Sequence, residues 1–216
     1  MLDPNSELRF QESDHTYWVG SEQLPGVTTV LGVLGGYEGI PKRILQVAAE
    51  RGTAVHKITE MDDGDTLDYG SLDDELTGYL MGWHRFKHEM KPTIFDAEVA
   101  GFHPGMRYAG TRDRRLAIGN KVGILDIKSS YVLMPSTGPQ TAAYKEIWNA
   151  AAGKDDKAKH RWGLKLTRDG NYELKEYKDH AGDWNTFVSC LNVWRFISQH
   201  NQKLKANIEA YRNEFD

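Results

Sequence analysis

The chain has 216 residues, a formal net charge of −4, 39% hydrophobic residues and one cysteine, Cys190. Such a length suits a single domain with a conventional core, and one cysteine excludes a disulfide framework, an all-cysteine zinc site and a four-cysteine iron–sulfur cluster held by this chain alone. The acidic balance argues against a broad, charge-driven grip on nucleic acid or on an anionic membrane, but not against a small site where metal ions supply the positive charge.

The N-terminal Met-Leu-Asp-Pro-Asn has neither a basic segment nor an apolar run, so no secretory signal is expected. The least polar stretch, 24–40, is interrupted by five glycines and a proline and does not read as a membrane span. A soluble, cytoplasmic protein with no membrane partner is the expectation. Leu8, Phe10 and then 15–19 alternate as short strands. Val27 to Leu34 fits either a strand or a short helix. Pro41 opens a helix whose apolar positions Ile44, Leu45, Ala48, Val55 and Ile58 form one stripe. Residues 61–71, with four aspartates and two glycines, read as a solvated loop. A second helix is expected over 72–90, with Leu76, Tyr79, Leu80, Trp83 and Phe86 at helical spacing.

The pattern then changes. Residues 93–99 alternate as a strand, and 108–118 and 121–130 form two more, joined through Gly119-Asn120 as a hairpin. A helix follows over 140–152, then a hairpin of 161–167 with 172–177, and a closing helix over 183–212. The expected class is α/β, a central mixed β-sheet flanked by helices. All 216 residues are read as one domain, with 1–40 a strand-rich elaboration and 41–90 a helical part placed to cover a site.

The chemistry concentrates in Gly110-Thr-Arg-Asp113 and Leu125-Asp126-Ile-Lys128. Asp113 lies about six residues before the Gly119-Asn120 turn and Asp126 about six after it, so the two carboxylates face each other across the hairpin. Like charges so placed destabilise a sheet unless a cation binds between them, and Glu98 on the neighbouring strand adds a third acid. This points to a divalent metal held by hard oxygen ligands. Lys128, on the same face as Asp126, can favour hydroxide or offset charge on a phosphoryl group. Neutral His56 can complete an octahedral set. Gln140 and Tyr144 share one helix face, where they can meet phosphate or base.

In this order Arg51-Gly-x-x-Val-His56, Glu98, Gly110-Thr-x-Asp113, Asp126-Ile-Lys128 and Gln140-x-x-x-Tyr144 resemble the RecB-type branch of the PD-(D/E)XK nucleases. His15-x-Tyr17 and Leu24-Pro-Gly-Val-Thr28 look like the N-terminal part of phage-encoded exonucleases of that branch. The resemblance implies a restriction-endonuclease-like core and a DNA nuclease, single- or double-strand directed, working in recombination, repair or phage DNA metabolism. It implies that His56, Asp113, Asp126 and the backbone carbonyl of Ile127 bind Mg2+ or Mn2+, and that Lys128 positions or activates water. Glu98 would sit near a second metal or orient Lys128. Gln140 and Tyr144 would shape a DNA-facing wall, and Arg51 would touch phosphate. Two departures stand out. Arg112 precedes Asp113 in place of the proline of the family name, and Ser129-Ser130 replaces a frequent threonine-glycine pair. The single cysteine excludes the iron–sulfur subgroup. The alternative is a nuclease-fold protein that binds nucleic acid or a partner without cleaving.

Overall fold

In the computed structural model, which describes residues 7–36 and 39–215, two sheets and five α-helices follow the chain in a simple order. Strands β1 (Leu8–Gln11), β2 (Thr16–Val19) and β3 (Glu22–Leu24) form an antiparallel meander. Helix α1 (Val27–Leu31) follows and ends in a short 3₁₀ turn, which resolves the strand-or-helix ambiguity in favour of helix. Helices α2 (Lys42–Asp63) and α3 (Asp74–Met90) lead into β4 (Thr93–His103), β5 (Tyr108–Ile118) and β6 (Lys121–Lys128). After α4 (Thr137–Ala151) come β7 (His160–Leu166), β8 (Tyr172–Glu176) and α5 (His180–Phe215). The first six residues of the expected N-terminal elaboration lie outside the described residues.

The main sheet has the order β4-β5-β6-β7-β8, antiparallel throughout except for the parallel pair β6–β7. That parallel pair is the crossover through α4, as a parallel connection requires. Gly119, with a φ of 60°, occupies the first central position of the β5–β6 turn, the place where a type II′ hairpin needs glycine. The class is therefore α/β with a mixed sheet between helical layers. On one face Val55, Trp83, Phe86, Leu125, Ile127 and Leu164 pack under α2 and α3. On the other, Val27, Tyr108, Ile124, Ile147, Phe187 and Leu191 pack under α1, α4 and α5. Among the described residues no helix is long and apolar enough to cross a membrane.

One local expectation needs correction. Residues 61–71 are not wholly a solvated loop, because α2 continues to Asp63, and both Asp62 and Asp63 are buried in ion pairs. Asp62 meets Lys87 Nζ at 2.5 Å, Tyr69 Oη at 2.6 Å and His84 Nε2 at 2.6 Å. Composition cannot reveal this, since the counter-charges come from α3 and β5. The small sheet also gains β3, a three-residue strand too short for an alternation signal.

The meander docks where the site begins. Pro25 carbonyl accepts the Ala109 amide at 3.0 Å, and Tyr17, Leu24, Phe102 and Ala109 close a third small core. Tyr17 Oη lies 3.0 Å from Thr111 Oγ1, two residues before Asp113.

Candidate metal centre

Strand β5 changes face at Asp113. Before it, Tyr108 Oη donates to the Ala143 carbonyl at 3.0 Å, a Cβ on Gly110 would strike the Tyr144 ring at 2.6 Å, and the Arg112 guanidinium lies 4.7 Å over Trp148. All three face α4. After it, Arg114 reaches Asp63 and Thr59 on α2, and Leu116 joins the Trp83 core. The period-two alternation has slipped by one residue. On the neighbouring strand Glu98 has a φ of 49°, and the β4–β5 register shifts between Ile94 and Asp96. Such irregularities re-aim side chains, and positive φ in a non-glycine residue is a strain that clusters at functional sites.

The re-aimed side chains converge with α2. His56 Nδ1 lies 3.2 Å from Glu98 Oε1 and 3.6 Å from Asp113 Oδ1. His56, Glu98 and Asp113 each present a ligand atom, all within 4.8 Å of one another. Burial alone would lower the His56 pKa, but the Asp113 and Glu98 charges raise it to about 9. In the metal-free chain His56 is therefore an imidazolium that partly neutralises the two acids.

Asp126 completes the acidic set from β6. The last hydrogen-bonded pair of the β5–β6 ladder, Arg114 with Leu125, leaves Asp113 and Asp126 at the next position, as the hairpin count predicted. Backbone pairing ends there, and Asp113 Oδ2 accepts the Ile127 amide at 2.5 Å instead. Leu125 and Ile127 enter the α2–α3 core, and Asp126 between them is buried at 0% exposure. Lys128 Nζ lies 2.7 Å from Asp126 Oδ2 in an ion pair, and Asp126 Oδ1 is buried without a hydrogen-bond partner among the described residues. Burial raises the Asp126 pKa to about 6 against the pull of Lys128, and burial also raises Asp113. Asp126 lies outside the compact His56–Glu98–Asp113 group.

The remaining expected residues are placed unequally. Glu98 is paired with Arg114 at 3.1 Å and with His56 at 3.2 Å. Gln140 and Tyr144 sit beside the site but do not form an open wall. Gln140 Nε2 donates to Tyr144 Oη at 3.2 Å, and Tyr144 is 5% exposed with its ring over Gly110. A ring so enclosed has no face for a nucleobase. Burial, with Asp126 and Asp113 nearby, raises its phenol far above the usual range. Arg51 stands one residue before Gly52, close to Ser129, and its buried Nε has no hydrogen-bond partner among the described residues.

Three contributors were not anticipated. Arg114, fully buried, ties the site together: Nε to Asp63 Oδ2 at 2.8 Å, Nη1 to Glu98 Oε1 at 3.1 Å and to the Asp113 carbonyl at 2.6 Å, and Nη2 to Thr59 Oγ1 at 3.1 Å. Its signal was available in Arg114-x-Leu116, which places an arginine on a core-facing register of a strand. Thr137 and Tyr177 left no such signal. Gly163 pairs with Asp126, and a Cβ on it would touch Thr137 Cγ2 and Tyr177 Cε2 at 3.1 Å. Both residues therefore stand beside Gly163, and burial together with the nearby Asp126 charge raises the Tyr177 phenol.

The compact donor set consists of two carboxylates and one imidazole, from Glu98, Asp113 and His56, with the Asp126 carboxyl on the adjoining strand at the next position of the ladder. It fits a small, hard divalent cation. An open cleft of about 670 Å³, lined by Lys57, Asp63, Lys87 and Phe95 among others, borders the site through Asp63 but includes none of His56, Glu98, Asp113 and Asp126. No family model and no curated protein matches the chain.

Proposed function

We propose that the protein is a Mg2+- or Mn2+-dependent deoxyribonuclease, a phosphodiester hydrolase with a restriction-endonuclease-like core of the RecB-type PD-(D/E)XK kind. The carrying observation is the approach of His56 and Glu98 to the buried Asp113, with the buried Asp126 at the next ladder position beside Lys128. A sheet built for stability alone gains nothing from a buried Asp126 carboxylate that has Lys128 on one oxygen and no hydrogen-bond partner on the other among the described residues. The acids have a reason to be there if a cation joins them.

In this reading Asp113, Asp126, Glu98 and His56 hold the cation, together with the Ile127 carbonyl. The bound ion would supply Lewis acidity toward a phosphoryl oxygen and acidify water. Asp113 takes the Ile127 amide on Oδ2, which fixes the carboxyl plane and leaves Oδ1 toward His56. Arg114 holds Glu98 in place from behind. Lys128 stands at the open end of β6 beside Asp126, where its ammonium can orient water and offset charge that develops on phosphate. Arg51 would meet a neighbouring phosphate. An exonuclease role in recombination, repair or phage DNA metabolism follows from the family resemblance.

A second reading is a nuclease-fold protein that binds nucleic acid or a partner without cleaving. One observation favours it: His56 and Arg114 already supply positive charge to Glu98 and Asp113 without a metal. Labelled single- and double-stranded DNA, incubated with Mg2+ or Mn2+ and with an EDTA control, separates the two. Cleavage that needs the metal and is lost in Lys128→Ala is expected. Absence of cleavage by the wild type, or equal cleavage in EDTA, removes the catalytic reading.

A further inference from the structure

Tyrosine seldom stands in water, because its ring carries a large apolar surface. Tyr131 is 94% exposed, and Val132 beside it is 50% exposed. Both lie in the connection 129–136 between β6 and α4, directly beyond Lys128. Three residues of chain reach about 10 Å at most, so the Tyr131 backbone stays close to the end of β6.

The connection is also tethered. Lys165 is the register partner of Lys128 on β7, and its Nζ donates to the Tyr131 carbonyl at 3.3 Å. Ser130 Oγ donates to the Val132 carbonyl at 2.7 Å. The backbone of Tyr131 is thus fixed beside Lys128 while its ring projects outward. A held backbone with a presented ring has already lost the freedom that binding would otherwise cost. On the other side of Ser129 stands α2, with Gly52 against Ser129 and Arg51 carrying its unpartnered Nε. Helix α2 and an exposed aromatic ring therefore flank the segment that leaves Lys128.

We propose that Tyr131 is a stacking platform for an unpaired nucleobase next to the phosphate held at Lys128, with Arg51 on an adjacent phosphate. A paired base keeps its faces inside the duplex, so the platform selects a single-stranded segment at the site. The inference rests on the nuclease reading and deepens it by naming the substrate class. Tyr144, the aromatic residue singled out by its motif, is enclosed by Gly110 and cannot serve this purpose. Tyr131 belongs to no motif.

The test measures binding apart from cleavage. With Lys128 intact and Ca2+ in place of Mg2+ to hold back cleavage, fluorescence anisotropy gives Kd for a labelled oligothymidylate and for an abasic oligonucleotide of the same length. Each is measured with Tyr131, Tyr131→Leu and Tyr131→Trp, all checked for an unchanged melting temperature. The expected result is a Kd for oligothymidylate raised at least about fivefold by Tyr131→Leu and restored by Tyr131→Trp. The abasic strand should bind more weakly and be indifferent to the substitution. An equal Kd for Tyr131 and Tyr131→Leu, or an equal loss on both strands, overturns the stacking role and leaves the nuclease reading standing. Failure of both strands to bind, combined with no cleavage by the wild type, overturns the nuclease reading itself.

Discussion

Exchanging Asp126 for asparagine removes one ionisable group from the middle of the sheet while it keeps the size and shape of the side chain. The carboxyl is fully buried, and its pKa rises from 3.8 to about 6 with the attraction of Lys128 already included. Holding it ionised at pH 8 therefore costs about 3 kcal/mol relative to the unfolded chain. The amide leaves polar atoms of its own in the same place, at a cost of about 1–2 kcal/mol. Asp126→Asn should then stabilise the metal-free protein by about 1–2 kcal/mol, or roughly 3–6 °C. The sign with pH follows from the raised value. The folded state keeps the proton where the unfolded state has released it, so this contribution to wild-type stability is intact below about pH 4 and is lost as pH rises through 6. At pH 5 the ionisation cost is about half its full size, and the two proteins should melt together. Thermal unfolding followed by circular dichroism in EDTA, at pH 8 and pH 5, measures the difference. Added Mn2+ should reverse the order at pH 8, since the wild type keeps the ligand. A lower melting temperature for Asp126→Asn in EDTA at pH 8, or a difference that ignores pH, would refute the reasoning.

Two further outcomes bear on the same centre. Arg114→Ala should cost about 3 kcal/mol or more in urea unfolding, because it removes a fully buried guanidinium that bonds Asp63, Glu98, Thr59 and the Asp113 carbonyl at once. A loss below about 1 kcal/mol would make Arg114 a bystander. His56 is held protonated to about pH 9 by Asp113 and Glu98, a pairing whose stabilisation is complete below 6.5 and lost as pH rises through 9. Metal entry must displace that proton, so Mn2+ affinity should rise by up to about tenfold per pH unit between 7 and 9. Calorimetry at pH 8 in two buffers of different ionisation enthalpy should report about one proton released, and none in His56→Ala. No release by the wild type would take His56 out of the ligand set.

The order of elements, the β5–β6 hairpin and the near-opposition of Asp113 and Asp126 follow from local rules, period-two alternation and turn chemistry, which a sequence carries openly. The core faces of Leu125 and Ile127 were legible for the same reason. What stayed hidden depends on partners distant in the chain. The slip of face at Asp113 and the positive φ of Glu98 are set by packing between β4 and β5, and no alternation pattern announces a bulge. The burial of Asp62 and Asp63 depends on Lys87 and Arg114, and the enclosure of Tyr144 on the missing side chain of Gly110. The composition itself, one cysteine and a charge of −4, determined which chemistries were closed to this protein. Only the tertiary structure decided that part of that negative charge is buried at one point of the sheet, because burial is a property of neighbours in space.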